Sequence, residues 1–164
     1  MRTILLSMMF LVMSSDFSFG KDPLVTCPVL EKSILTTKGH PSSAYLGKQI
    51  WFGTDEAKEK FAKDQASHRD KALLQLFQTS QLVQFACPID VSPLSPEIGT
   101  VDFMGTKVGF CCKSCKEKFE KANDSSRLQL LFGKASEAFT LQSHCPVSTK
   151  DRVDIEITAQ HNKK

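Results

Sequence analysis

Three cysteine–proline pairs punctuate the chain, at Cys27-Pro28, Cys87-Pro88 and Cys145-Pro146, at intervals of 60 and 58 residues. A regular period of this length marks repeated supersecondary units, and it limits the possible folds more than composition does. The blocks that follow the first two pairs align. "WFGTDEAKEKF" (51–61) set against "GFCCKSCKEKF" (109–119) shares Phe, Lys, Glu, Lys and Phe after the first column. Upstream, "YLGKQI" from Tyr45 lies against "FMGTKV" from Phe103, which places Gly47 on Gly105. Downstream, "LLQLF" (73–77) resembles "LQLLF" (128–132). The chain therefore reads as a duplication followed by a fragment.

Each unit is expected to begin with a Cys-Pro turn and a loop rich in Ser, Pro and Gly. A strand, a turn at Gly47 or Gly105 and a second short strand follow. Next comes a charged helix, "TDEAKEKFAKDQ" or "CKSCKEKFEKAN", with Thr54 as the N-cap of the first and Asp55 and Glu56 at its positive end. A second amphipathic helix closes the unit, its apolar face formed by Leu73, Leu74, Phe77 and Leu82 in unit one and by Leu128, Leu131, Phe132 and Phe139 in unit two. The expected fold is α+β: two small β-hairpin-plus-helix modules packed together, with a C-terminal strand fragment. Unit one spans 21–85 and unit two 86–143. The truncated third unit, 144–164, keeps the Cys-Pro turn and one alternating stretch, Val153 and Ile155 against Asp154 and Glu156.

Residues 1–20 have the pattern of a secretory signal peptide. Arg2 precedes an apolar run from Ile4 to Met13, and Ser18 and Gly20 supply small residues before a cleavage point. The run is too short to span a bilayer as a helix, and no later run is apolar enough, so no stable membrane span is expected after cleavage. The protein is expected to be exported, periplasmic or secreted. Its net charge is +3, with Lys and Glu interspersed and no block of like charge, which argues against a nucleic-acid partner.

All six cysteines lie after residue 20: Cys27, Cys87, Cys111, Cys112, Cys115 and Cys145. Three of them cluster in "VGFCCKSCKEKF", where a strand gives way to a helix. In the same columns unit one has Gly53, Thr54 and Ala57, although the flanking scaffold residues, including Phe61 and Phe119, occur in both copies. The fold does not need these three thiols, so they point to a site in unit two alone. Cys111 at a strand end and Cys115 in the first helical turn can converge, and Cys87 can approach from its turn. A helix N-terminus favours thiolate, Lys113 and Lys116 add to this, and thiolates bind soft metals, here zinc or copper(I).

A cysteine, a spacer of 23 residues and "FCCKSCKEKF" resemble the TRASH and YHS families of small metal-binding modules, through Cys87, Phe110, Cys111, Cys115 and Phe119. The match covers about 87–122 and, weakly, 27–64, where the cysteine pair is missing. The resemblance implies a treble-clef-like fold and a role in heavy-metal trafficking, resistance or sensing, with a metal-donating or metal-accepting protein as a partner.

A tetrahedral site needs a fourth ligand or an open position. Asp90, three residues after Cys87, is a candidate; its competing role is that of a turn residue bonding its own backbone. Cys112 adjoins Cys111 and is a looser candidate, suited to metal exchange. His144 can complete a site if unit three folds back, whereas His40, His68 and His161 show no ligand pattern. Two other readings stand beside the metal. Cys112-x-x-Cys115 has the spacing of a thiol–disulfide oxidoreductase. Alternatively the cysteines stabilise a non-metal structural or interaction module, with Cys27 and Cys145 paired. Apart from the redox reading no enzyme chemistry is indicated.

Overall fold

The computed structural model describes residues 24–36 and 39–142. The expected signal peptide at 1–20, the third unit at 144–164, His144, Cys145 and His161 lie outside the described residues. What is described is α+β, with five α-helices and antiparallel two-stranded ladders.

The first half opens with β1 (Leu24–Thr26), which pairs antiparallel with β2 (Ser33–Leu35) around the Cys-Pro turn. The Cys27 carbonyl accepts the Glu31 N–H at 3.0 Å, and the Cys27 N–H donates to Lys32 at 2.9 Å. In the second half Cys87 makes the same pair of bonds with Val91 and Ser92, both at 2.9 Å. Glu31 and Val91 both take left-handed backbone, at φ 57° and 66°. A β-branched valine rarely tolerates this, so the turn geometry overrides local preference.

Two hairpins follow the two turns. The first joins β3 (Ser42–Tyr45) to β4 (Lys48–Trp51), with Tyr45 opposite Lys48. After β5 (Leu82–Gln84), the second joins β6 (Thr100–Phe103) to β7 (Thr106–Gly109), with Phe103 opposite Thr106. The connecting pairs, Leu46-Gly47 and Met104-Gly105, have positive φ at both residues. This is the two-residue turn whose twist suits a hairpin, and the glycine supplies the second position without a Cβ clash.

Each hairpin runs into a helix, α1 (Asp55–Lys63) or α3 (Lys113–Lys121). Thr54 caps α1 as expected, its Oγ1 accepting the Ala57 N–H at 3.2 Å. One fully buried phenylalanine ties helix to hairpin in each half. Phe61 lies 5.5 Å from Tyr45 at 82° and 5.3 Å from Phe52 at 49°. Phe119 lies 5.4 Å from Phe103 at 86° and 5.3 Å from Phe110 at 50°. The same trio of rings therefore sets the hairpin–helix angle twice.

The second helices are α2 (Arg69–Gln78) and α4 (Asp124–Phe132), and the short α5 (Ala135–Ala138) follows α4. Leu73 and Leu74 on α2 and Leu131 and Phe132 on α4 are buried as expected, in one shared core. Leu82 and Phe139 depart from the expected helical faces. Beyond Gln78 the Thr79 hydroxyl turns back to the Gln75 and Leu76 carbonyls, and Ser80 is left-handed at φ 57°, which ends the helix. Leu82 then starts β5, and Phe139 starts β8 (Phe139–Leu141). These two strands pair antiparallel, with Leu82 opposite Leu141 and Gln84 opposite Phe139, and so join the halves. Phe139 also packs edge-on against Phe77 at 5.4 Å. Arg69 Nη1 crosses between the halves to the Phe132 carbonyl at 3.2 Å.

A glutamine fastens each hairpin to the strand before its Cys-Pro turn. Gln75, fully buried on α2, accepts the Trp51 N–H at 2.6 Å and donates to the Trp51 and Thr26 carbonyls at 2.8 and 2.9 Å. In the second half the matching backbone groups belong to Gly109 and Ala86. Gln84 serves them from β5, accepting the Gly109 N–H at 2.9 Å and donating to Gly109 and Ala86 at 2.8 and 3.0 Å. Gln75→Leu should cost about 2–4 kcal/mol, because it strands three polar groups around a buried side chain. Gln84→Leu should cost less, because Gln84 is only half-buried and water can replace it. Urea denaturation of the two variants checks the order; an equal cost would contradict it.

Candidate metal centre

The turn at Cys87, the end of the β6–β7 hairpin and the start of α3 meet at one point. Cys87 is fully buried, held by its paired backbone bonds. Cys111 follows Phe110, whose ring is locked against Phe119, so the core fixes where residue 111 emerges. Cys115 is in the first turn of α3 and is buried. One ligand atom from each of Cys87, Asp90, Cys111 and Cys115 lies within 4.8 Å of all the others. This is the cluster among the described residues that can hold a metal ion.

Asp90 makes the turn bond and also lies within the cluster. Its Oδ1 accepts the Ser92 N–H at 3.1 Å, the expected turn bond. The same carboxylate faces the Cys111 sulfur, with Oδ1 and Oδ2 at 3.2 and 3.1 Å, and Oδ2 lies 3.8 Å from the Cys115 sulfur. The turn bond therefore aims the second oxygen inward. Ser92 escaped notice in the sequence; an Asp-x-Ser pattern after the Cys-Pro pair was the available signal. The Ser92 N–H, followed by the Cys111 thiol, holds the Asp90 carboxyl down at about 2.

Burial acts on the thiols in the opposite sense. It pushes Cys115 up to about 12 and raises Cys111 well above the usual thiol range, with the Asp90 carboxylate reinforcing the effect at Cys111. The Cys111 and Cys115 sulfurs are 3.8 Å apart. Without a cation, two thiolates and a carboxylate this close repel one another, so these thiols retain their protons. With a divalent cation among them the balance inverts, since a coordinated thiol is deprotonated outright.

Cys112 stands outside the four. It is the N-cap residue of α3 and sits 3.3 Å from the Ser114 hydroxyl, which lowers the thiol to about 7. Its backbone, φ −153° and ψ 164°, matches that of Thr54, φ −147° and ψ 164°. Thr54 caps its helix and Cys112 makes no side-chain capping bond. Lys116 is anchored to the Ile98 carbonyl at 3.2 Å. His68 belongs to the start of α2, against Phe61.

No protein-family model matches the chain, nor does any curated protein or solved structure.

Cys112→Thr should restore the missing cap, since the backbone already has the capping conformation. Thermal denaturation should show a gain of about 1 kcal/mol, with metal content unchanged. A loss of bound metal would place Cys112 among the ligands.

Proposed function

We propose that this is an exported zinc-binding protein of the TRASH and YHS kind, in which Cys87, Asp90, Cys111 and Cys115 hold one Zn²⁺. The observation that carries this reading is the convergence of these four side chains within 4.8 Å. It is supported by the contrast with unit one, which has the same turn, hairpin and ring trio but Leu30, Gly53 and Ala57 in place of the three clustered partners of its cysteine. Three thiolates suit either zinc or copper(I); a carboxylate as fourth donor favours the harder divalent ion.

The site has a closed side and an open side. Cys87 and Cys115 are buried, Cys111 is partly exposed and Asp90 is exposed. A carboxylate on the open side is the ligand a competing thiol displaces most readily, which fits trafficking, resistance or sensing with a protein donor or acceptor. In this reading the protein is not an enzyme, and Cys112 is a nearby thiol for metal exchange. Its depressed thiol also keeps open the redox alternative, through Cys112 and Cys115. No helix among the described residues is long and apolar enough to cross a membrane.

Zinc–thiolate sites in small domains contribute about 10–16 kcal/mol of apparent binding free energy, comparable with the whole stability of a domain, about 5–15 kcal/mol. Cys111→Ser and Cys115→Ser should therefore abolish stoichiometric zinc and lower the Tm, as should a strong chelator on the wild type. A melting curve that a reductant shifts and a chelator does not would replace this reading with a disulfide. Asp90→Asn should weaken zinc by at least about tenfold, 1.4 kcal/mol. Unchanged affinity would show that Asp90 is not a zinc ligand and that the three thiolates hold the ion with an open fourth position.

Zinc binding must displace the protons that Cys111 and Cys115 hold at neutral pH. Proton release should accompany titration in weak buffer, and affinity should fall as the pH is lowered. Asp90, at about 2, stays ionised over this range, so loss of zinc in mild acid reports the thiols. Export is checked by mass spectrometry of the native protein, expected to begin near Lys21; an intact Met1 on a cytoplasmic protein would contradict it.

A further inference from the structure

The counterpart of the metal centre in unit one is closed in a specific way. Leu30 stands where Asp90 stands, three residues after the cysteine of an identically bonded turn. Gly53, which follows Phe52, corresponds to Cys111, and Ala57 in the first part of α1 corresponds to Cys115. A Cβ on Gly53 would lie 2.9 Å from Leu30 Cδ1 and 3.8 Å from Ile34 Cγ2. The Leu30 side chain therefore occupies the volume into which a cysteine at 53 would project. Its methyl faces residue 53 much as the Asp90 oxygens face the Cys111 sulfur. The buried Cys27 sulfur accepts the Leu30 N–H at 3.5 Å and the Gly53 N–H at 3.4 Å. Two backbone N–H groups thus converge on this sulfur.

We infer that unit one retains the frame of a second metal position, closed by Leu30, an exposed side chain whose Cδ1 lies across the place a ligand at 53 would take. The inference takes its ligand set from the zinc reading of unit two, but it concerns the frame around Cys27. The N-cap residues Thr54 and Cys112 share their backbone angles, and the ring pairs Phe52–Phe61 and Phe110–Phe119 share their 5.3 Å separation. The frames agree where ligands must be placed, and Gly53 has no positive φ to bar a side chain. Three exchanges, Leu30→Asp, Gly53→Cys and Ala57→Cys, remove the plug and supply the missing donors.

The test is zinc stoichiometry of the purified full chain, with Co²⁺ absorption as an independent report of thiolate ligation. The wild type should bind one equivalent and the triple variant two. Zero and one would support the open frame in unit one while refuting the proposed site in unit two. A folded triple variant that binds no more than the wild type would overturn the inference. If the triple variant does not fold, a double-mutant cycle decides. Gly53→Ala should give a more negative Tm change in the presence of Leu30 than in a Leu30→Ala background. Equal shifts in both backgrounds would show that Leu30 does not fill the position, and would overturn the inference as well.

Discussion

Phe61 and Phe119 are the residues on which the geometry of each half depends. Each side chain is fully buried between a ring from the strand before the hairpin turn and a ring from the residue just beyond the second strand. This clamp sets the angle between hairpin and helix, and with it the positions of the residue after the second ring and of the residue in the first helical turn. In unit two these are Cys111 and Cys115, and in unit one Gly53 and Ala57. The candidate metal centre is thus a set of side chains mounted on a junction that the aromatic core holds in either case. Placing such a site on a rigid junction keeps its donors in reach of one point without metal.

Small size explains how the halves are joined. A unit of about 60 residues buries too small a share of its surface to be secure alone. The two second helices share a core, β5 pairs with β8, and Arg69 reaches the Phe132 carbonyl of the other half. The tip of the second hairpin is held as well, since the Met104 carbonyl accepts from Gln78 on α2 at 2.7 Å. Unit one has Leu30, Gly53 and Ala57 at the counterpart positions and builds its core from other residues, among them Val25, Ile50, Phe52 and Phe61. It can therefore serve as a standing template for unit two, whose own centre crowds ionisable groups that need a cation to ionise together.

Much of this was legible because the chain carries two versions of one unit. The hairpin turns, the Thr54 cap, the paired phenylalanines and the thiols of unit two follow from aligning 51–61 with 109–119. Local patterns did less well where a long-range partner decided the outcome. Leu82 and Phe139 have helical spacing from the helices before them, but Thr79 and the left-handed Ser80 end α2, and the two segments find each other as strands. Asp90 was ambiguous because a turn bond and a ligand role both suit a carboxylate at that spacing; in three dimensions the turn bond leaves Oδ2 facing the Cys111 and Cys115 sulfurs. Leu30 was legible only as the apolar residue in the column of Asp90; that its methyl lies against Gly53 is set by the three-dimensional turn.

The two glutamines show why the repeat diverged as it did. Both hairpins must satisfy the backbone groups of one edge residue, Trp51 or Gly109, and tie it to the strand before the turn. Unit one does this from α2, which lies over its own hairpin, through the buried Gln75. Unit two has Leu130 on α4 at the corresponding place and uses Gln84 from the linking strand instead. The strand that joins the units therefore also closes the hairpin of the second, so pairing between the halves and the frame of the metal centre are mechanically one element. Disturbing β5 should be felt at Gly109, two residues before Cys111. The candidate site in unit two is thus tied to the linking strand through hydrogen bonds from Gln84 to Gly109 and Ala86.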